Sequence, residues 1–313
     1  MTQANSTSEA SPPATPPSAS APKSGVDWWG EVKGIFWLIV AVLGFHSIIA
    51  KPFFIPSESM MPALLKGDQL VVSKFAYGWS YVSPTIPNPV AIFRSLVLRQ
   101  QVDSWIVELP FTKGRILGSM PTRGDVVIIY APANKQDYIK RLIGLPGDRI
   151  EVRGGTVIIN GVPIKRAPAV DRLIPVDANT ECRDEFYPGL KITGKDGKDY
   201  CQMPVVRETM DNGRSYDTID LGYRPDVDDY PAITIPEGHV FVMGDNRDSS
   251  ADSRVAIANR GLGGPVPIEN LGGRAEFITF SLDGSSTLLN PFSWFGALRG
   301  GRSGSSLHPT TEG

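Results

Sequence analysis

Residues 34–50 carry no charged side chain, and the run Ile35-Phe36-Trp37-Leu38-Ile39-Val40-Ala41-Val42-Leu43 inside them would be apolar on every face of a helix. A stretch of about 17 such residues is at the short end of what crosses a bilayer, and Trp28, Trp29, Phe53 and Phe54 extend it toward the interfaces. One transmembrane helix is therefore expected over residues 28–51. A cleavable secretory leader is the competing reading. Against it, Ile48 stands two residues before Ala50, where a cut site wants a small side chain, and Ala19-Ser20-Ala21 lies before the apolar run. Lysines do not set the orientation, since Lys23 and Lys33 precede the run while Lys51 and Lys66 follow it.

Outside this segment the composition divides the chain. Residues 1–27 are mostly Ala, Pro, Ser and Thr, too poor in large apolar side chains to offset the entropy of ordering, and read as a disordered tail. Residues 300–313, rich in Gly and Ser, are expected to be disordered for the same reason. Between them, residues 68–74, 125–130, 138–143, 149–152, 156–159, 239–243 and 275–280 are short β-branched or aromatic runs bounded by turn formers. The expected fold is mainly β: a single N-terminal helix, then a domain of curled antiparallel sheets over residues 52–299. Residues 79–118 and 166–230 lack periodicity, carry many turn formers and read as insertions or an inserted extended subdomain. A formal charge of −2 gives no reason to expect nucleic acid as a partner. Cys182 and Cys201 have no metal-site spacing, so either a disulfide or two inert thiols is open.

Three polar stretches could carry chemistry. In Pro56-Ser57-Glu58-Ser59-Met60-Met61-Pro62, two prolines hold the backbone away from helix and present the hydroxyl of Ser59. A serine nucleophile needs a base, and of the three histidines one is in the apolar run, one (His308) is in the C-terminal tail, and His239 is in an apolar strand. Lysine is the better candidate, because burial removes the solvation that favours its charged form. In the strand-like run 138–143, alternation puts Lys140 on the face of Tyr138 and Leu142, with Ile139 and Arg141 opposite, so one of the two cations is expected inside. Residues 244–254, Gly-Asp-Asn-Arg-Asp-Ser-Ser-Ala-Asp-Ser-Arg, do not have the ligand spacing of a calcium loop and can neutralise themselves by Asp–Arg pairing.

Taken in order and spacing, residues 55–68, 123–127, 137–148 and 244–254 resemble the motif boxes of the type I signal peptidases, membrane-anchored Ser/Lys proteases. The resemblance covers roughly residues 35–280. It implies Ser59 as nucleophile, Lys140 as general base, and the Ser57 hydroxyl with the Ser59 N–H as oxyanion hole. It further implies that Ser250 orients Lys140, that Asp252 and Arg254 brace the site, and that Phe53, Ile55, Met60, Leu64, Tyr138 and Ile139 line shallow substrate pockets for small side chains. No metal or cofactor is needed. The implied partners are signal peptides of exported preproteins and the lipid bilayer, with a monomer acting on the periplasmic face of a bacterial inner membrane. Phe75, Trp79, Trp105, Phe292, Trp294 and Phe295 are candidates to touch lipid. A specialised Ser/Lys maturation peptidase for a pilin or transfer system, or an inactive peptide-binding β domain, remains open at this point.

Overall fold

The computed structural model describes residues 28–83, 88–90, 93, 114–286, 290 and 292–311. The tail expected over 1–27, most of the insertion expected over 79–118, and Trp105 lie outside these residues. The chain divides into two units, one ending at Val40 and the other beginning at Ala41. Helix α1 (Trp28–Ile48) runs through that boundary, and none of its residues is buried by protein. At 1.5 Å per residue its 21 residues are about 31 Å long, the thickness of a bilayer's hydrocarbon core. An apolar helix left bare by protein is suited to lipid.

The helix stops short of the residues 28–51 expected for it. Strand β1 (Ala50–Phe54) begins almost at once, because its backbone pairs with β2 (Asp68–Ser73) and Pro52 offers no N–H to a helix. Strands β3 (Val126–Ala131), β4 (Gln136–Gly144), β5 (Arg149–Arg153), β6 (Thr156–Ile159) and β7 (Val162–Pro163) follow. The second insertion, whose sequence lacks regular periodicity, builds β8 (Lys165–Arg166), β9 (Val170–Pro175), β10 (Lys191–Thr193), β11 (Asp199–Thr209) and β12 (Arg214–Ile219). Strands β13 (Tyr230–Thr234), β14 (His239–Met243), β15 (Val266–Pro267), β16 (Leu271–Ser281) and β17 (Thr310–Thr311) complete the domain.

A seven-stranded sheet runs β1-β2-β16-β3-β4-β14-β15, a four-stranded one β13-β5-β6-β7, and the insertion's sheet β10-β11-β12-β17 with β8 and β9 also on β11. The ladders are antiparallel. The large sheet is buried on both faces: Val126 and Ile128 of β3 pack with Ile55, Met60 and Leu70, while Val127 and Ile129 pack with Tyr77, Leu142 and Val242. This is why β3 reads as an unbroken apolar run. The Cys182–Cys201 disulfide, with a Cα–Cα distance of 5.6 Å, ties the loop before β10 to β11. Of the lipid-contact candidates, Phe75, Phe292 and Phe295 are exposed, while Trp79 is half-buried with its Nε1–H donating to Ile48 O at 2.8 Å.

The C-terminal segment is not the disordered tail its composition suggests. Arg302 donates to Asp68 at 2.9 and 2.5 Å, Leu307 is buried beside Ile55 and Met60, and β17 pairs with β12. Gly and Ser content does not register that a buried carboxylate such as Asp68 requires a cation. Deleting residues 301–313 should destabilise the β domain by about 3 kcal/mol or more, from lost Leu307 burial and an unpaired Asp68. Denaturant unfolding in detergent measures this; an unchanged midpoint contradicts the assignment.

Candidate functional site

Between β1 and β2 the chain runs from Pro56 to Leu65 without helix, as its two prolines require. The loop is closed at its base by Ile55 N–H to Asp68 O and Gly67 N–H to Ile55 O, both at 2.9 Å. Ser59 at its turn is buried, whereas Ser57 is exposed with its Oγ 3.3 Å from Ser59 Oγ. The opposite partner comes from β4, an interior strand held between β3 and β14. Lys140 is 3% exposed and its Nζ lies 2.7 Å from Ser59 Oγ. Its Nζ also lies 5.8 Å from the centre of the Tyr138 ring, as strand alternation places both side chains on one face.

Burial pushes the pKa of Lys140 down to about 8; Asp252 and Asp245 oppose the fall and Arg254 adds to it. Asp252 is itself occupied. Arg254 grips it through Nε to Oδ1 at 3.0 Å and Nη2 to Oδ2 at 2.9 Å, and Gly244 N–H donates to Oδ2 at 2.9 Å. Burial pushes the Asp252 carboxyl up, but the Arg254 charge and these hydrogen bonds outweigh it and leave the group below its ordinary value. Arg254 is anchored in turn on Val227 O and Arg247 O, each at 2.8 Å.

One cation of β4 was expected inside, and both are there. Arg141, also 3% exposed, leaves the other face of the strand and makes a two-pronged contact with Asp245, Nε to Oδ1 at 2.7 Å and Nη2 to Oδ2 at 2.6 Å. Its Nη1 donates to Gly124 O at 2.7 Å and its guanidinium lies 4.3 Å from the Tyr216 ring centre. A fully paired arginine tolerates burial with its charge kept; a lysine facing only a hydroxyl holds its proton less tightly.

The loop after β14 closes over Ser59. Asn246 N–H donates to Ser59 O at 3.1 Å, and Gly244 lies so near that a Cβ there would sit 2.5 Å from Ser59 O and 2.2 Å from Ser250 Oγ. Ser250 Oγ is buried and has no hydrogen-bond partner among the described residues, so the contact to Lys140 implied by the resemblance is not made in this structure. Of the six residues implied as pocket lining, Phe53, Ile55, Met60, Leu64 and Ile139 pack in one apolar cluster. Tyr138 stands apart from that cluster, its OH donating to Arg260 O at 2.9 Å. His239 is engaged elsewhere, its Nδ1 2.9 Å from Glu237 O.

Three contacts of the Ser59 turn and the loop after β14 have no signal in the local sequence. Tyr187 OH donates to Glu58 Oε2 at 2.6 Å, Asn246 Nδ2 donates to Glu58 O at 3.3 Å, and Glu208 of β11 holds Arg247 of the site loop in a buried pair at 2.8 Å and shorter. Each joins residues far apart in the chain. The arrangement offers a desolvated amine of low pKa touching a hydroxyl on a turn, the requirements for moving a proton off a serine oxygen. Gly244→Ala should cost about 2 kcal/mol of stability, because the added methyl must displace Ser250 or the Ser59 backbone. Thermal unfolding reads this, and an unshifted midpoint would show that the loop does not press on Ser59.

A family model described as signal peptidase, peptidase S26, matches residues 28–280. A signal peptidase I of Rickettsia akari is 32% identical over 263 residues, covering 82% of this chain and 79% of that protein. One from Rickettsia conorii is 32% identical over 267 residues, covering 83% and 81%. A crystal structure of a signal peptidase I from Enterococcus faecalis is 25% identical and covers 50% of this chain and 97% of that one, at a TM-score of 0.26, too low to bear on the fold.

Proposed function

The chain belongs to the signal peptidase family, peptidase S26, and from that premise we propose that it cuts signal peptides from exported preproteins with Ser59 as nucleophile and Lys140 as general base. The observation that carries the assignment of residues is the 2.7 Å approach of a buried Lys140 Nζ to Ser59 Oγ. In the proposed cycle neutral Lys140 accepts the Ser59 proton as Oγ attacks the scissile carbonyl. The Ser57 hydroxyl and the Ser59 N–H donate to the tetrahedral oxyanion. Lys140 then gives its proton to the departing amine, leaving an ester on Ser59, takes one from the water that attacks the ester, and returns it to Ser59 Oγ as the new carboxyl end departs. Asp252 and Arg254 fix the field around Lys140, and Ser250 stands ready to orient the amine when substrate is bound.

The apolar α1 makes this a membrane-anchored protein. We place the β domain on the periplasmic face of a bacterial inner membrane, acting as a monomer on preproteins without nucleic acid. The Cys182–Cys201 disulfide supports a side that permits oxidation. The apolar cluster of Phe53, Ile55, Met60, Leu64 and Ile139, with Tyr138 beside Lys140, supports recognition of small side chains ahead of the cut.

Purified protein in detergent should cleave a preprotein after a small-x-small sequence, read by mass spectrometry. Ser59→Ala, Lys140→Ala and Lys140→Arg should each lose activity by about a thousandfold or more while remaining folded, arginine failing because it stays charged. Undiminished cleavage by folded Ser59→Ala would refute the assignment. The pH profile has a definite sign: with Lys140 at about 8, the neutral base is about a tenth of the total at pH 7, so kcat/KM should rise close to tenfold per pH unit below 7 and level off above about 9. A rate still climbing tenfold per unit between pH 9 and 10 contradicts the lowered pKa.

A further inference from the structure

A cavity of about 240 Å³ opens beside Ser59, and its walls are unlike those implied for the signal-peptide side. None of Phe53, Ile55, Met60, Leu64, Tyr138 or Ile139 lines it; its residues are largely polar and include Ser57, Glu58, Lys66, Glu181, Arg183 and Tyr187. A peptide cut at Ser59 must continue past the nucleophile on both sides. With one side assigned to the apolar cluster on the reading proposed above, this cavity is left for the other.

We infer that the cavity receives the first residues of the mature chain, and that Glu58 and Lys66 read their charge. Glu181 and Arg183 pair with each other at 3.0 Å on the exposed rim. Glu58 and Lys66 make no ion pair among the described residues. Glu58 is one residue before the nucleophile, and its carboxylate is held by the Tyr187 hydroxyl at 2.6 Å. Burial raises the pKa of that phenol, and its bond to Glu58 raises it further, so Tyr187 donates a hydrogen bond without neutralising the carboxylate. The wall that carries Tyr187 is fixed from below: Cys182 lines the same cavity and is bonded to Cys201 of β11. The site thus offers a fixed negative group close to the leaving amine and a positive group on a flexible side chain in the same chamber. A basic residue after the cut is favoured by Glu58, and an acidic one by Lys66.

The test uses full-length protein in detergent and three preproteins that differ only at the second mature residue: Lys, Ala or Asp. Glu58→Gln keeps an oxygen for Tyr187 and should raise the Asp-to-Lys ratio of kcat/KM about fivefold, whereas Lys66→Gln should lower it by a similar factor, both shifts shrinking at high salt. Ratios unchanged in both variants, with the Ala preprotein still cut, would overturn the inference and leave the peptidase reading intact. Failure of wild type to cut the Ala preprotein would remove the peptidase reading and this inference with it.

Discussion

The contact of Lys140 Nζ with Ser59 Oγ at 2.7 Å depends on keeping water away from an amine, and much of the β domain is arranged around that requirement. A lysine brought inside next to free carboxylates would stay protonated, because each negative charge restores what desolvation removes. Two carboxylates do act on Lys140, those of Asp252 and Asp245. Each is already held by an arginine in a two-pronged contact, Arg254 on the first and Arg141 on the second. The buried ion pairs matter here less for stability, to which such pairs contribute little net, than for offsetting part of the pull of these carboxylates on the amine, as Arg254 does. On the proposed mechanism that makes Lys140 a base near neutral pH.

The same requirement explains the close packing of the loop after β14. Gly244 has no side chain at the point where its backbone meets Ser59 O and Ser250 Oγ, and Asn246 N–H holds that same Ser59 carbonyl. The Ser59 backbone is thus pinned by one loop while its side chain meets a residue from a strand. The inserted sheet reaches this loop through Glu208, buried on β11 and paired with Arg247. A segment that reads as an insertion in the sequence is in this way tied to the site.

Much of the architecture could be read from the chain because its signals are local. Two prolines keep residues 56–62 from forming helix, and alternation along β4 puts Lys140 with Tyr138. Where the reading stopped short, the deciding interactions join distant residues. Glu208 breaks the strand pattern of β11 unless Arg247, 39 positions on, is known to meet it. Residues 300–311 are ordered by Asp68 and by a slot for Leu307, neither visible in a Gly/Ser composition. That both cations of β4 are inside, and not one, was hidden because nothing adjacent to Arg141 reveals that Asp245 waits on its face.

The most direct test of this account is the titration of Lys140 itself, followed through its side-chain nitrogen by NMR on lysine-labelled protein in detergent and assigned with Lys140→Arg. A midpoint near 8 is expected. A midpoint near 10.5, the ordinary lysine value, in a folded protein would mean that Lys140 is solvated and charged, and the proposed base would be lost.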